Sequence, residues 1–173
     1  MQIYGRYPSP LGEILLRADE HGLSGAWFCG AKYYPDISSA AFSENNFTES
    51  ARSWLDIYFS GKTPDFFPKL HFTGSEFRKS VLLELCGIEY GKTVSYGDIA
   101  NRIAESKGSG ASARAVGGAV SRNPLSVFVP CHRVVGADGN LTGYAGGIER
   151  KIALLKLEGL DPAALHIGKR AIT

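Results

Sequence analysis

Cys131 stands immediately before His132 in the run Pro130, Cys131, His132, Arg133, Val134, Val135, directly after the apolar residues 127–129. A thiol attacks carbon only as the thiolate, and a nearby imidazole or cation raises the thiolate fraction near neutral pH. The pair defines one chemistry, nucleophilic attack by sulfur, against an alternative in which the cysteine is a small buried hydrophobe. If the run is extended, neighbouring side chains diverge, and His132 need not touch the sulfur directly; a water between them would bridge the gap. Glu158 is a second position at odds with its surroundings. Ile148, Ile152 and Leu155 share a helical face that ends at Gly159, so the Glu158 carboxylate falls at the negative end of the helix dipole. That placement costs about 0.3 to 1 kcal/mol unless a cation or proton donor answers it. His132 is a donor that would answer it; an exposed, frayed helix end is the other reading.

Such residues need a scaffold, and the chain is long enough to supply one. Its 173 residues are 44% apolar and 21% charged, sufficient to bury a core without disulfides. Cys29, Cys86 and Cys131 are odd in number and widely spaced, with no CxxC pair and no secretory n-region, so a reducing, cytoplasmic setting is expected. No apolar run approaches the roughly 20 residues of a membrane span, which excludes a transmembrane helix. Asn46-Phe47-Thr48 and Asn140-Leu141-Thr142 match a glycosylation sequon and are read as accidents.

The formal net charge of +2 conceals an asymmetry. Residues 1–72 carry six Lys and Arg against eight Asp and Glu, whereas residues 73–173 carry thirteen against nine. Between Lys92 and Arg133 six basic residues (Lys92, Arg102, Lys107, Arg114, Arg122, Arg133) face only Asp98 and Glu105. A polyanion would dock on such a stripe, although a solvated face has the same composition.

Two domains are expected, 1–72 and 73–173, joined near residues 64–73. In the first, residues 2–7, 12–18 and 23–28 are β-branched and aromatic runs separated by Pro8, Pro10 and Gly22, which predicts an antiparallel meander. A helix follows, with Phe47, Ala51, Trp54, Leu55 and Tyr58 on one face, Asn46 and Glu49 as its cap, and Gly61 just past its end. The second domain opens with a helix signalled by Thr73 and Glu76, running through Phe77, Val81, Leu82 and Leu85 to Gly87. Residues 95–103 and 112–122 predict two more helices joined by the Gly-rich residues 105–110, a helix-turn-helix with a long connection. Asn123 and Pro124 predict a sharp turn after them, and Pro130 stiffens the approach to the cysteine.

The helix over 112–122 is unusual in having almost no side-chain bulk: Ala113, Ala115, Gly117, Gly118 and Ala119. Each interior glycine costs about 1 kcal/mol relative to alanine, so close approach of another backbone, a core partner or a nucleic-acid groove must compensate. The helix lacks the Asn, Gln and Arg fork that reads base edges. Just before it, residues 108–113 match a GxGxxA dinucleotide pattern, but the residues ahead of them have helical rather than strand periodicity, which argues against a nicotinamide site.

PCHRVV, followed thirteen residues after the cysteine by Tyr144 within GYAGG, resembles the active-site signature of the O6-alkylguanine-DNA alkyltransferases, also called methylated-DNA–protein-cysteine methyltransferases. The likeness spans about the whole chain. It implies a small α/β N-terminal domain with a ribonuclease H-like sheet and a helix, supporting a mainly α, winged-helix-like C-terminal domain. The implied activity is direct reversal of DNA damage: Cys131 takes the alkyl group from O6-alkylguanine, possible also for O4-alkylthymine, in a single irreversible turnover after the nucleotide has flipped out. His132 would draw the thiol proton through water, Glu158 would orient His132, and the Tyr96 hydroxyl would serve the guanine ring nitrogen.

The resemblance also assigns substrate and DNA contacts. Arg114 would fill the gap left in the base stack, with Ala115, Gly117 and Gly118 along the same helix in the minor groove, little sequence preference and a monomeric protein. Ser95 would lie on a phosphate-facing turn, with Asn123 and Arg133 completing the DNA-side set. Tyr144 would pack on the flipped base, the Ala145 N–H would meet O6, and the carbonyls of Cys131 and Val134 would accept the exocyclic amine. Some relatives carry serine at the position of Ala145. Some bind zinc in the first domain, but the cysteines required are not matched, so neither metal nor cofactor is expected.

Other functions remain compatible with the residues alone. A cysteine hydrolase would turn over repeatedly on esters, but usually draws its histidine from far along the chain. A lesion-binding module would lack the nucleophile that Cys131 provides. A transcriptional regulator would bind undamaged operator DNA selectively.

Overall fold

The computed structural model describes residues 1–108 and 110–167, which form two compact units, Met1–Thr73 with Pro124–Ser126, and Gly74–Asn123 with Val127 onward. In the first unit β1 (Ile3–Ser9), β2 (Gly12–Ala18) and β3 (Leu23–Phe28) form an antiparallel meander in the order β1-β2-β3. β3 is buried at every position, and with Ile14, Leu15 and Leu16 of β2 it forms the floor of this unit. Pro8, expected to separate strands, instead lies inside β1 opposite Glu13. β1 is the edge strand, where a missing N–H breaks no central ladder.

α1 (Asn46–Phe59) buries Ala51, Trp54, Leu55 and Tyr58. Its cap is Asn45, not Asn46: the Asn45 side chain accepts from Phe47 N and Thr48 N, and the Thr48 hydroxyl accepts from Asn45 N at 3.0 Å. Pairs 45/48 and 46/49 have the same spacing, so spacing alone could not choose between them. Beyond β3 two short pieces cover its open edge. Leu23 N donates to Lys69 O (2.8 Å), and Ala26 exchanges hydrogen bonds with Pro124 O (2.7 Å) and Ser126 N (2.9 Å). Pairing removes the exposed ladder that an uncovered strand would present.

The second unit opens with α2 (Glu76–Cys86), capped by Ser75 rather than Thr73. A two-residue strand β4 (Val94–Ser95) leads into α3 (Tyr96–Lys107), whose Ser95–Asp98 capping box is reciprocal. α3 continues past Ile103 to Lys107 and stops at Gly108 in the left-handed region (φ 66°), so the connection to α4 (Ala113–Ser121) is shorter than residues 105–110 implied. The residues ahead of the GxGxxA pattern thus lie in a helix, which removes its dinucleotide reading; Ser109 within it lies outside the described residues.

The stretch through Cys131 is not extended. Val127 turns the chain at φ 73°, a costly conformation for a β-branched residue, and Cys131–Arg133 forms a single 3-10 turn closed by Arg133 N to Pro130 O. β5 (Val134–Val135) then pairs in parallel with β4, which sets the start of α3 beside the residues that follow the cysteine. β6 (Asn140–Leu141), α5 (Ile148–Leu157) and β7 (His166–Ile167) complete the unit, with β6 and β7 parallel and Val135, Leu141 and Leu155 in a common apolar cluster. No helix among the described residues is long and apolar enough to cross a membrane.

Candidate active site around Cys131

Cys131 is buried, with 5% of its surface exposed, and His132 beside it has none. Burial pushes the thiol pKa up. Against that burial act the side chain of Asn123, the charge of Lys151 and the backbone N–H groups of Cys131 and His132. Asn123 is buried and its Nδ2 donates both to Sγ (3.0 Å) and to Val129 O (2.8 Å). Asn123 lies in the expected turn after α4, its N–H donating to Val120 O (3.1 Å), and its side-chain amide is turned inward onto the sulfur. Nothing in the sequence near Asn123 signals this, because the contact depends on the turn at Val127.

Glu158 is the C-cap of α5, and both of its oxygens are occupied. Oε1 lies 2.6 Å from His132 Nε2 and 3.0 Å from Arg133 Nη2, while Oε2 accepts from Arg133 Nε (2.8 Å) and Gly91 N (3.0 Å). Burial alone would raise the carboxyl pKa, but the hydrogen bonds and charges of His132 and Arg133 outweigh it and hold the group well below the usual carboxylate range. Facing an ionised carboxylate, Nε2 carries the proton, which makes Nδ1 the basic nitrogen of the ring. Burial pulls the His132 pKa below its ordinary value, and Glu158 works in the opposite direction.

Arg133 is therefore not part of a DNA-facing surface. It is buried, forks onto Glu158 and donates from Nη1 to Ile88 O (2.5 Å). The planar guanidinium supplies several fixed donors to a carboxylate that a lone imidazole could not satisfy. The other five members of the basic stripe, Lys92, Arg102, Lys107, Arg114 and Arg122, are exposed.

Lys151 has no exposed surface, and its Nζ donates to Val134 O (2.6 Å) and Thr142 O (3.3 Å). Burial pulls its pKa down to about 8, with the Cys131 sulfur acting the other way. A sequence signal existed: Lys151 lies three residues after Ile148 and four before Leu155, on the apolar face of α5. The Val134 carbonyl accepts from Lys151, and the Cys131 carbonyl from Val134 N, so each already holds one donor.

Tyr96, the first residue of α3, sets its hydroxyl 2.7 Å from Thr142 Oγ1. Burial raises its pKa, Thr142 lowers it, and the nearby Cys131 sulfur raises it. Ser95 is the cap of α3 and accepts from Asp98 N. Tyr144 and Ala145 occupy the turn ahead of α5, where Gly147 N donates to Tyr144 O (2.9 Å). On α4, Val116, Ala119 and Val120 face inward, whereas Arg114, Ala115 and Gly118 are exposed. A Cβ on Gly118 would meet nothing within 4 Å, and one on Gly117 would lie 3.7 Å from the Tyr96 ring, an ordinary contact. Internal packing requires neither glycine. Among the described residues, no group of three or more His, Cys, Asp or Glu is placed to hold a metal ion.

A buried thiol with a hydrogen-bond donor on its sulfur, a carboxylate-anchored imidazole on the next residue and a capped helix pair leading to a small-residue face together define a nucleophilic cysteine site on a helix-turn-helix unit. Comparison with known proteins gives this class a family. Residues 2–71 match the family model of the 6-O-methylguanine DNA methyltransferase ribonuclease-like domain, and residues 76–160 that of its DNA binding domain. The chain is 45% identical over 156 residues to the methylated-DNA–protein-cysteine methyltransferase of Methanosarcina acetivorans, covering 90% of this chain and 97% of that protein. It is 42% identical to the same-named protein of Mycobacterium leprae, covering 87% and 88%. Among solved structures it is similar to Mycobacterium tuberculosis OGT in complex with DNA, at 38% identity and a TM-score of 0.81 over 94% of each chain. The chain belongs to the 6-O-methylguanine DNA methyltransferase family, with the ribonuclease-like and DNA-binding domains in that order.

Proposed function

We propose that this protein repairs O6-alkylguanine in DNA by moving the alkyl group irreversibly to Cys131. The observation that carries the reading is the chain Cys131, His132, Glu158, in which a buried carboxylate 2.6 Å from the imidazole makes the other ring nitrogen a base on the residue next to the thiol. His132 takes the thiol proton through a water, and Glu158 together with Arg133 stabilises the imidazolium as the thiolate forms. Sulfur then attacks the saturated carbon on O6. The S–C bond forms, the C–O bond breaks and its electron pair stays with guanine, which gains the proton that sulfur lost, so no other reagent is consumed. The Tyr96 hydroxyl donates to the guanine ring nitrogen and Ala145 N–H to O6 as negative charge develops, with Tyr144 packed on the base. Lys151 holds the Val134 carbonyl in place for the exocyclic amine and opposes the burial penalty of the thiolate. The product is a thioether with no acyl carbon for water to attack, which limits each chain to one lesion.

A stacked base cannot present its alkyl carbon to a buried sulfur, so the nucleotide must leave the helix. α4, with no internal need for Gly117 or Gly118, is shaped for close approach to a minor groove, with Arg114 entering the vacated stack and no side chains that read sequence. The five exposed cations supply the attraction to phosphate, Ser95 lies on a phosphate-facing turn, and one protein monomer acts on one site. The first unit supports the second, and a thiol kept reduced suits a cytoplasmic setting. The test is Cys131→Ala. Transfer of labelled methyl from O6-methylguanine duplex to protein should vanish while duplex affinity stays near that of the parent; transfer that persists contradicts the assignment.

A further inference from the structure

The Tyr96 hydroxyl is held by Thr142, a residue with no role so far, whose Oγ1 lies 2.7 Å away. Thr142 is itself fixed at the backbone. It follows Leu141, which is 1% exposed, and its carbonyl accepts from the buried Lys151 ammonium at 3.3 Å. A hydroxyl can both give and take a hydrogen bond, and at 2.7 Å either oxygen of the pair can be the donor.

We infer that Thr142 is a positioning residue for alkyl transfer: its hydroxyl holds the Tyr96 hydrogen while the site is empty, then reverses and donates to the phenol oxygen when Tyr96 turns to the guanine ring nitrogen. The inference rests on the repair reading and deepens it. A phenol that receives a hydrogen bond is a better donor, because successive hydrogen bonds polarise one another. Thr142 also acts against the burial that weakens the Tyr96 hydroxyl as an acid. No net proton leaves either residue; the S–C bond forms and the C–O bond breaks as already written, and the two hydroxyls only stabilise the departing guanine.

Valine has the shape of threonine without the hydroxyl, and serine keeps the hydroxyl. Single-turnover methyl transfer is measured for the parent, Thr142→Val and Thr142→Ser, each with Tyr96 or Tyr96→Phe. The duplexes carry O6-methylguanine or an analogue with C–H in place of the ring nitrogen that faces the phenol. Thr142→Val should slow transfer about fivefold to tenfold, the size of one hydrogen bond, without changing duplex affinity, and Thr142→Ser should restore the rate. The loss should disappear in the Tyr96→Phe background and on the C–H analogue. A Val variant as fast as the parent, a Ser variant as slow as Val, or a full loss that persists without the phenol or the ring nitrogen overturns the inference. A parent that takes up no methyl at all overturns the repair reading itself, and Thr142's role falls with it.

Discussion

Asn123→Leu keeps volume near the sulfur while removing the N–H donor that lies 3.0 Å from Sγ. A hydrogen bond to a charged group contributes about 1.5 to 3 kcal/mol, so the thiolate fraction at neutral pH should fall about tenfold to a hundredfold. Reactivity should fall less. Thiolate nucleophilicity rises as the parent thiol weakens, with a Brønsted coefficient of about 0.4 to 0.5, which returns roughly half of the logarithmic loss and leaves a rate about threefold to tenfold lower. The sign then reverses with pH: burial has already raised the thiol pKa, Asn123→Leu raises it further, and above the new inflection the variant should attack faster than the parent. Asn123→Asp, which puts a carboxylate where the donor was, should move the inflection further in the same direction. The assay is the pH dependence of iodoacetamide alkylation and of methyl transfer, in a background carrying Cys29→Ser and Cys86→Ser so that only Cys131 reports. An inflection that stays in place, or a slowing that is uniform across pH, refutes the reasoning.

Arg133→Leu removes two donors, Nε and Nη2, from the buried Glu158 carboxylate and should destabilise the protein by about 3 to 5 kcal/mol in urea unfolding. A loss no larger than that of an exposed pair, about 1 kcal/mol or less, would contradict it. Because the Glu158 pKa is depressed in the folded state, its contribution is present above the ordinary carboxylate value of about 4.3 and fades as the pH falls through the folded value. In Arg133→Leu that fading should begin at higher pH. Arg114→Ala should slow repair of duplex DNA far more than repair of the free base, and duplex affinity of the parent should fall with salt at a slope of about −0.9 per phosphate neutralised; equal losses on both substrates, or a flat salt response, would contradict the role of α4.

The three strands of the first unit and the five α-helices among the described residues lie close to where periodicity and turn residues put them, because each is a local pattern: alternation in β1 to β3, and apolar faces such as Ala51, Trp54, Leu55 and Tyr58 in α1. Caps were less legible, since Asn45 and Ser75 each have a neighbouring polar residue that could serve and only the local backbone decides which side chain meets the free N–H groups. The pairing of Glu158 with His132 could be read from a carboxylate placed at the wrong end of a helix, and the structure puts the two 2.6 Å apart. What was not legible is long-range. Arg133 looked like one more cation in a basic stripe, Asn123 like a turn residue and Thr142 like half of a sequon. Each acquires its partner only after the chain turns at Val127 and β5 pairs with β4. Lys151 was the exception, visible as a lysine on an apolar helical face.

Intact-mass measurement of the protein after incubation with excess O6-methylguanine duplex, followed by fragmentation to locate the change, reads the fate of the sulfur. Every chain should gain one methyl group, on Cys131 alone, with no second addition on longer incubation. A chain of unchanged mass with Cys131 still a thiol, or a methyl group found on Cys29 or Cys86 instead, would contradict the mechanism.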